Sequence, residues 1–269
     1  MLDLSYKYYL LKVVKYILPV LLLFGLFTIC YNFIFIYDNN DIQILKQLAY
    51  KNRKMIYTVN IKQNNKNIPY IILTNNYDNK CLLLRKYLLN ENMVFNLPEN
   101  RSAYYEDSYI DNYLNTEFYL TFSDILTELI QETNITITSE DSLGRCGTET
   151  VDIKRKIFLL SSSEVVGEKK SSVRLNEGKH LKFFTNMESR IALHESLEPD
   201  NWWLRTPITW DSISVCVIGF NGGTGEIAIN NSDSSTKTNG IRPAFCLPGD
   251  TPVFIDEIDG EKAYYIVDE

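Results

Sequence analysis

The sequence predicts an α+β fold in which an N-terminal transmembrane helix precedes a single domain. Three patterns support this class. An uninterrupted apolar run lies near the N-terminus, apolar residues recur at helical spacing in the first half of the domain, and short β-type segments separated by Gly, Asn and Pro fill the second half. Helical patterns followed by a series of strands are typical of α+β proteins. We therefore expect a domain with a β-rich C-terminal half.

The apolar run covers residues 16–37 and contains no Asp, Glu, Lys or Arg. As a helix it would be about 33 Å long, enough to cross a hydrocarbon core of about 30 Å. Lysines precede the run and aspartates follow it. This asymmetry predicts a single-pass protein of the cell membrane with a cytoplasmic N-terminus and an extracellular C-terminal domain.

A cleaved signal peptide and a buried core helix are the alternatives for this run. A signal peptide has an apolar run of about 7–15 residues that ends in small residues. Here the run is longer and ends in bulky aromatic residues, which favours an uncleaved signal anchor. The predicted organisation is a cytoplasmic tail at 1–15, the anchor at 16–37, a stalk helix at 38–54 and an extracytoplasmic domain at 55–269.

Charge and cysteine spacing limit the classes of partner. The formal net charge of −7 argues against a nucleic-acid partner, which requires a concentrated positive surface. Outside the anchor, Cys81, Cys146, Cys216 and Cys246 match no compact metal-binding spacing. Cys216 and Cys246 lie in two strand-like runs of one region and are the best candidates for a disulfide, with buried free thiols as the alternative.

The first half of the domain combines a hairpin with helices. Met55–Ile61 and Ile68–Thr74 flank an Asn-rich centre that tolerates positive φ, which predicts a β-hairpin. Cys81–Leu89 follows as a third buried segment. Apolar spacing over 108–133 predicts one or two amphipathic helices, with Ser123 as the N-cap of the second.

The second half begins with a polar stretch, Thr133–Val151, which we expect to be a loop. Lys156–Ser161 is a predicted strand, and Ser161 with Glu164 fits a capping box at a helix start. A helix is predicted over Thr185–His194. The remaining chain predicts six short strands with the sequences WWLRTP, ISVCVIGF, GEIAI, GIRPAFCL, PVFIDEI and KAYYIVD.

Five segments occur in a fixed order along the domain. They are DSYIDNYLNTEF (Asp107–Phe118), IFLLSSSEV (Ile157–Val165), NWWLRTP (Asn201–Pro207), VIGFNGGTGEI (Val217–Ile227) and NGIRPAFCL (Asn239–Leu247). Together they resemble a family of uncharacterised bacterial domains that occur on exported or membrane-tethered proteins. That family carries no assigned chemistry, so the resemblance implies a fold without naming a reaction.

The chain is also distantly similar to the C-type-lectin-like fold, including its formylglycine-generating relatives, which close on a Trp-rich strand and a strand containing Gly and Arg. Gly240, Ile241 and Arg242 occupy that closing position here. This similarity implies a single C-type-lectin-like domain whose Arg and Trp residues hold the strand core together. The oxidase activity of those relatives requires a close pair of copper-binding cysteines, which this chain lacks.

Four residues are candidates for ligand binding: Trp210, Arg205, Trp203 and Asn221. Aromatic faces stack well on sugar rings, and Trp210 lies in a polar segment between strands. A guanidinium such as that of Arg205 can hold an anionic ligand.

A structural role is the alternative for the same residue types. Side chains alternate along a strand, so one of Trp202 and Trp203 is expected in the core. Arg205 and Arg242 would then satisfy carbonyl groups or a carboxylate such as Asp211.

No catalytic residue, metal site or cofactor is predicted. The segment EPDN at 198–201 departs from the EPN motif of calcium-dependent lectins by an inserted Asp, and the oxygen-rich segment 228–235 lacks the alternation of a calcium loop. His180 and His194 accompany no nucleophile motif. The glycines of 222–225 precede no helix, which a phosphate-binding loop would need.

The function predicted from these patterns is non-catalytic binding of an envelope or extracellular ligand, either a saccharide or a protein. One alternative is a scaffold or partner subunit of a membrane complex. The other is an enzyme of unrecognised class, which a pocket joining His180 or His194 to a carboxylate would favour.

Overall fold

Strands form most of the regular structure of this chain. The computed structural model describes residues 42–49, 56–97, 99, 102–143, 146–167, 174–208, 211–228, 238–258 and 261–266. Its strands are β1 (Ile42–Ile44), β2 (Thr58–Gln63), β3 (Lys66–Tyr77), β4 (Lys80–Arg85), β5 (Thr133–Glu140), β6 (Cys146–Arg155), β7 (Ile157–Phe158), β8 (Ala192–Leu193), β9 (Pro199–Asp200), β10 (Trp202–Ile208), β11 (Asp211–Ile218), β12 (Thr224–Ala228), β13 (Ala244–Leu247), β14 (Pro252–Ile258) and β15 (Glu261–Ile266).

The helices are short. They are α1 (Leu45–Leu48), α2 (Tyr109–Tyr113), α3 (Asp124–Leu129) and α4 (Ser162–Val166). A π-helical turn (Leu114–Phe118) and a 3₁₀ turn (Tyr119–Thr121) continue α2, and a second 3₁₀ turn covers Glu188–Arg190.

One eight-stranded sheet organises the domain, in the order β1-β14-β15-β2-β3-β4-β13-β7. The pair β15 and β2 is parallel, whereas the hairpins β2–β3, β3–β4 and β14–β15 are antiparallel. A three-stranded sheet, β10-β11-β12, and the hairpin β5–β6 stand apart from it. The long strand β3 therefore carries a tight turn at each of its two ends.

The predicted hairpin over Met55–Thr74 is confirmed as β2–β3. Asn64 and Asn65 have φ values of 48° and 60°, as a two-residue turn between twisted antiparallel strands requires. Asp78 and Asn79 form a second such turn between β3 and β4, with φ values of 48° and 62°.

The helical segment over 108–133 is also confirmed, with Ser123 as the predicted N-cap. Its Oγ accepts a hydrogen bond from Leu126 N at 3.3 Å. Asn115 links this segment to the sheet, because its side chain pairs with both backbone groups of Ile157 at 2.9 Å and 3.1 Å. The amide thereby replaces a missing strand neighbour of β7.

The predicted α+β class is wrong, because the described chain is mostly β-sheet. The stretch Thr133–Val151, expected to be a loop, lies in the hairpin β5–β6, where alternate residues such as Ile135 and Ile137 are buried. The expected helix over Thr185–His194 is a single 3₁₀ turn followed by β8. Polarity misled the first prediction, because one face of β5 contacts solvent while the other enters the core.

The predicted stalk, 38–54, is described only over 42–49. There β1 joins the large sheet and α1 makes one turn. Leu45 and Leu48 are buried in the core, and Leu45 N donates to Thr251 O at 3.0 Å. These residues are therefore part of the domain.

Among the described residues, no helix is both long and apolar enough to cross a membrane. The predicted cytoplasmic tail, 1–15, and the predicted anchor, 16–37, lie outside those residues. The structure therefore does not support the predicted transmembrane signal anchor. The cell-membrane localisation with an extracellular domain was inferred from that anchor, so it is not supported either.

Cys81, Cys146, Cys216 and Cys246 are buried, and none of them forms a disulfide within the part of the chain that the structure describes. The predicted pair Cys216 and Cys246 therefore forms no disulfide. Burial raises the pKa of the Cys246 thiol to about 12, and that of Cys81 to about 11, so both thiols stay protonated at neutral pH.

Candidate binding cleft

An open cleft of about 630 Å³ lies beside the β3–β4 turn, and we call it cleft 1. Its walls are the end of β3 with the following turn, the start of β5 and a loop after α4; the lining residues are Leu73–Asn79, Asn134, Thr136, Glu164 and Glu177–Lys182. The volume falls within the range of about 300–1,000 Å³ that is usual for ligand sites.

A buried ion pair forms the floor of cleft 1. Arg205 on β10 donates from Nη1 to Glu164 Oε2 at 2.8 Å and from Nη2 to Glu164 Oε1 at 2.9 Å. Neither side chain is more than 1% exposed. Tyr77 at the end of β3 donates its hydroxyl to Glu164 Oε1 at 2.5 Å. Three elements distant in the sequence are thereby joined at one carboxylate.

The capping box predicted at Ser161 explains why Glu164 points inward. Ser161 Oγ accepts from Glu164 N at 3.2 Å, and Glu164 Oε2 accepts from Ser161 N at 2.7 Å, so α4 begins with both parts of the motif in place. The same carboxylate therefore caps a helix and binds Arg205. Burial raises the pKa of the Tyr77 hydroxyl well above its usual value, and Tyr77 remains a hydrogen-bond donor.

Glu177 is a second buried carboxylate under cleft 1. Its Oε1 accepts from the backbone N and the hydroxyl of Thr138, each at 2.7 Å, and its Oε2 accepts from Thr206 Oγ1 at 2.5 Å. Burial raises its pKa, which the nearby Arg205 guanidinium partly opposes. Both buried acids therefore have protein donors on both oxygens.

Polar groups surround the mouth of cleft 1. Asp78 Oδ2 accepts from Lys80 Nζ at 2.7 Å and from Asn134 N at 3.1 Å, which ties the β3–β4 turn to β5 and lowers the pKa of Asp78. Lys179 and Lys182 are exposed, and neither makes an ion pair with any residue that the structure describes. The cleft thus combines a fixed polar floor with free donors at its rim.

Among the residues that the structure describes, the predicted ligand-binding residues Arg205, Trp203 and Asn221 do not share one surface. Arg205 lies beneath cleft 1 and is fully buried. Trp203 is 1% exposed and donates its indole N–H to Met93 O at 2.8 Å. Asn221 lies in an exposed turn, where its Oδ1 accepts from Gly223 N at 2.9 Å. Trp210 lies outside the described residues.

Trp202 is buried as completely as its neighbour Trp203, although the two side chains alternate along β10. This strand is buried on both faces over its whole length, so both tryptophans lie in the core, where only one of them was expected. Arg242 stacks 5.4 Å from the Trp202 ring and donates to Arg85 O at 3.0 Å. Arg205 and Arg242 thus both bind protein acceptors, and the carboxylate partner of Arg205 is Glu164.

The two histidines lie in different places. His180 lines cleft 1 without an ion pair to a described carboxylate. His194 contacts Asp200 at 3.3 Å in the β8–β9 hairpin, away from that cleft. Among the described residues, no group of three or more His, Cys, Asp or Glu side chains is arranged to hold a metal ion.

The family described as "Domain of unknown function (DUF6273)" matches residues 78–249, which include the floor residues Glu164, Glu177 and Arg205. The chain belongs to this family. No curated protein matches the chain. No solved structure matches it either, so the likeness to the C-type-lectin-like fold is not shown. The expected membership of an uncharacterised domain family is confirmed.

Sequence patterns gave part of this cleft in the DUF6273 domain and missed the rest. The capping box located Glu164, and the strand pattern located Arg205. Tyr77 and Asp78 were missed, although Asp78-Asn79 is a turn signal between two apolar segments. Glu177 lies in a charged stretch of weak periodicity, and no pattern there indicates a buried carboxylate.

Proposed function

We propose that this domain is a non-catalytic module that binds a hydroxyl-rich ligand of the saccharide class in cleft 1. The observation that carries the proposal is the polar lining of this cleft above a buried, fully hydrogen-bonded floor. Sites of this kind hold a ligand by a few fixed polar groups in a preformed concavity.

The wall chemistry supports a hydroxyl-rich ligand. Asn75, Asn76 and Asn79 line the β3 side of cleft 1 and are exposed. An amide side chain offers a carbonyl acceptor and two N–H donors, so it can pair with neighbouring hydroxyl groups that are both donors and acceptors. Lys179 and Lys182 add ammonium donors on the opposite wall.

The floor supports binding without catalysis. A general base or nucleophile needs a carboxylate oxygen that is free to meet the reacting atom. Glu164 and Glu177 instead have both oxygens occupied by Arg205, Tyr77 or threonine donors. Their arrangement keeps the cleft walls in place.

Titration of the full chain with a panel of neutral and acidic oligosaccharides tests the proposal, with Asn76→Ala and Lys182→Ala as cleft variants. We expect saturable binding that each variant weakens about tenfold, equivalent to about 1.4 kcal/mol. Lys62→Ala is the matched control, because Lys62 is exposed on β2 and lines neither wall of cleft 1. It should bind as the wild type does.

Trp210→Ala belongs in the same experiment because the sequence predicted that residue as the binding surface. Wild-type affinity in Trp210→Ala together with losses in the cleft variants would support cleft 1. The proposal fails if no saccharide binds, or if the cleft variants retain full affinity while Trp210→Ala loses it.

A further inference from the structure

A second cleft, cleft 2, lies at the other end of β3. It has a volume of about 450 Å³ and includes the β2–β3 turn, the end of β4 and one side of α2. No residue lines both clefts. The twelve residues of β3 place its two turns about 36 Å apart along the strand, so the clefts are separate sites.

Arg85 is the deepest charged group of cleft 2. Its side chain is 7% exposed, and its Nη1 donates to the carbonyls of Tyr87 and Leu88. Its Nε is buried without any hydrogen-bond partner. A buried donor without a partner destabilises the folded state, and a bound acceptor would remove that cost.

The free edge of this guanidinium has the shape that a carboxylate recognises. Nε and Nη2 form the side of Arg that binds a carboxylate in bidentate fashion. The hydroxyl of the buried Tyr70 lies close enough to this guanidinium to interact with it, and Nη2 makes a 3.4 Å contact with Glu195, whose side chain is 50% exposed. Such a long, exposed contact is weak, so a ligand carboxylate could replace Glu195 at little cost.

The rim of cleft 2 offers the opposite charge and two aromatic rings. Glu91 and Glu117 are exposed, and neither pairs with any residue that the structure describes. Tyr109 and Tyr113 are half-buried and lie one turn apart on α2. Lys66 and Glu195 also line this cleft. An ammonium group is attracted both by carboxylates and by tyrosine faces.

We infer that cleft 2 binds a small zwitterion of the free α-amino acid class. Its carboxylate occupies the Nε–Nη2 edge of Arg85, and its ammonium group lies between Glu117 and Tyr113. The partly buried apolar side chains of Leu89 and Met93 also line the cleft and accept an apolar amino-acid side chain. This site is independent of the saccharide site proposed in cleft 1.

Calorimetric titration of the full chain with the twenty common free amino acids is the direct test. We expect saturable binding of at least one apolar amino acid. The matching amine without a carboxylate and the matching acid without an amine should each bind at least about tenfold more weakly, because each loses one charged contact.

Two exposed carboxylates give variants with opposite outcomes. Glu117→Gln should weaken binding about tenfold, whereas Glu195→Gln should bind as tightly as the wild type or more tightly, because the competitor for Arg85 is gone. A general disturbance of the fold would weaken both. Arg85→Lys should abolish bidentate binding, with circular dichroism to verify its fold.

Lys182→Ala alters cleft 1 only, so it tests whether amino acids bind in cleft 2. It should leave the amino-acid affinity unchanged. The inference is overturned if no amino acid binds at millimolar concentration, if the lone amine or acid binds as well as the zwitterion, or if Glu117→Gln and Glu195→Gln shift the affinity equally. Saccharide binding by Glu117→Gln is measured as well. If this variant binds saccharide normally, a loss of amino-acid binding concerns cleft 2 alone and leaves the proposal for cleft 1 intact.

Discussion

Glu164 and Arg205 are 41 residues apart in the chain, yet their charges meet in the core. A lone buried charge is costly, and a buried pair is tolerated only when further hydrogen bonds satisfy its remaining atoms. Arg205 meets this condition with the carbonyl oxygens of Leu159 and Glu177, at 2.7 Å and 2.9 Å. The pair thereby holds β10 against the loop that forms one wall of cleft 1.

Removing only one member of this pair should destabilise the fold strongly. Arg205→Met leaves Glu164 charged and buried, and we expect it to lower the free energy of unfolding by about 3–5 kcal/mol in urea titration. The double variant Arg205→Met with Glu164→Gln removes both charges and should recover part of the loss. A double variant as unstable as the sum of the single ones would contradict this coupling.

The buried carboxyl group of Glu177 should make the stability of the fold depend on pH. Burial raises its folded-state pKa above the ordinary value of 4.5, so the folded state binds its proton more tightly than the unfolded state does. Its contribution to stability is therefore fully present below pH 4.5 and declines as the pH rises through the folded-state pKa. Arg205, the neighbouring cation, limits the size of this effect.

Glu177→Gln keeps the shape of the side chain and removes the titration. We expect the variant to become more stable relative to the wild type as the pH rises from 4 to 7. The measured quantity is the difference between their free energies of unfolding, from urea titration at each pH. A difference that stays constant over this range would show that folding does not raise the pKa of Glu177.

At the scale of elements, cleft 1 depends on backbone conformations that few residues adopt. Asp78 and Asn79 turn the chain between β3 and β4 with positive φ, and Gly178 has a φ of +133° beside Glu164. A Cβ at Gly178 would lie 3.0 Å from Glu164 Oε1. Glycine here allows the loop to pass close over the buried carboxylate.

Gly178→Ala should therefore cost about 1–3 kcal/mol of unfolding free energy, because both its φ and its contact with Glu164 are unfavourable for a side chain. Gly249→Ala is the matched control. Its added Cβ would meet Lys46 Cβ at an ordinary 3.4 Å, and its φ lies outside the positive region. Thermal unfolding should show a loss for the first variant only, and equal losses would contradict the argument.

At the scale of the whole molecule, the family segments lie in the scaffold, whereas turns and loops line much of the clefts. Asn115 pairs with Ile157, Glu164 with Arg205, and Arg242 stacks on Trp202. These contacts join segments that are distant in the sequence. The two turns at the ends of β3 instead line separate clefts. Substitutions in these turns disturb few core contacts.

The sequence by itself determined the turns, helix caps and strands that depend on interactions between neighbouring residues. The Asn-rich turn, the Ser123 cap, the Ser161 capping box and the C-terminal strands all depend on residues a few positions apart, and sequence alone predicted them. The DUF6273 segments likewise gave the family. The acidic composition argues against a basic nucleic-acid surface, which stays a prediction.

Only the tertiary structure decided which side chains meet. The strand pattern of Trp202 and Trp203 could not show that β10 is covered on both faces, and the charge of Arg205 could not show which carboxylate it binds. The polar hairpin β5–β6 and both clefts arise from contacts between distant segments. Because those contacts depend on how the sheets pack, and not on neighbouring residues, the sequence by itself indicated single residues such as Glu164 and Arg205 but not the clefts to which they contribute.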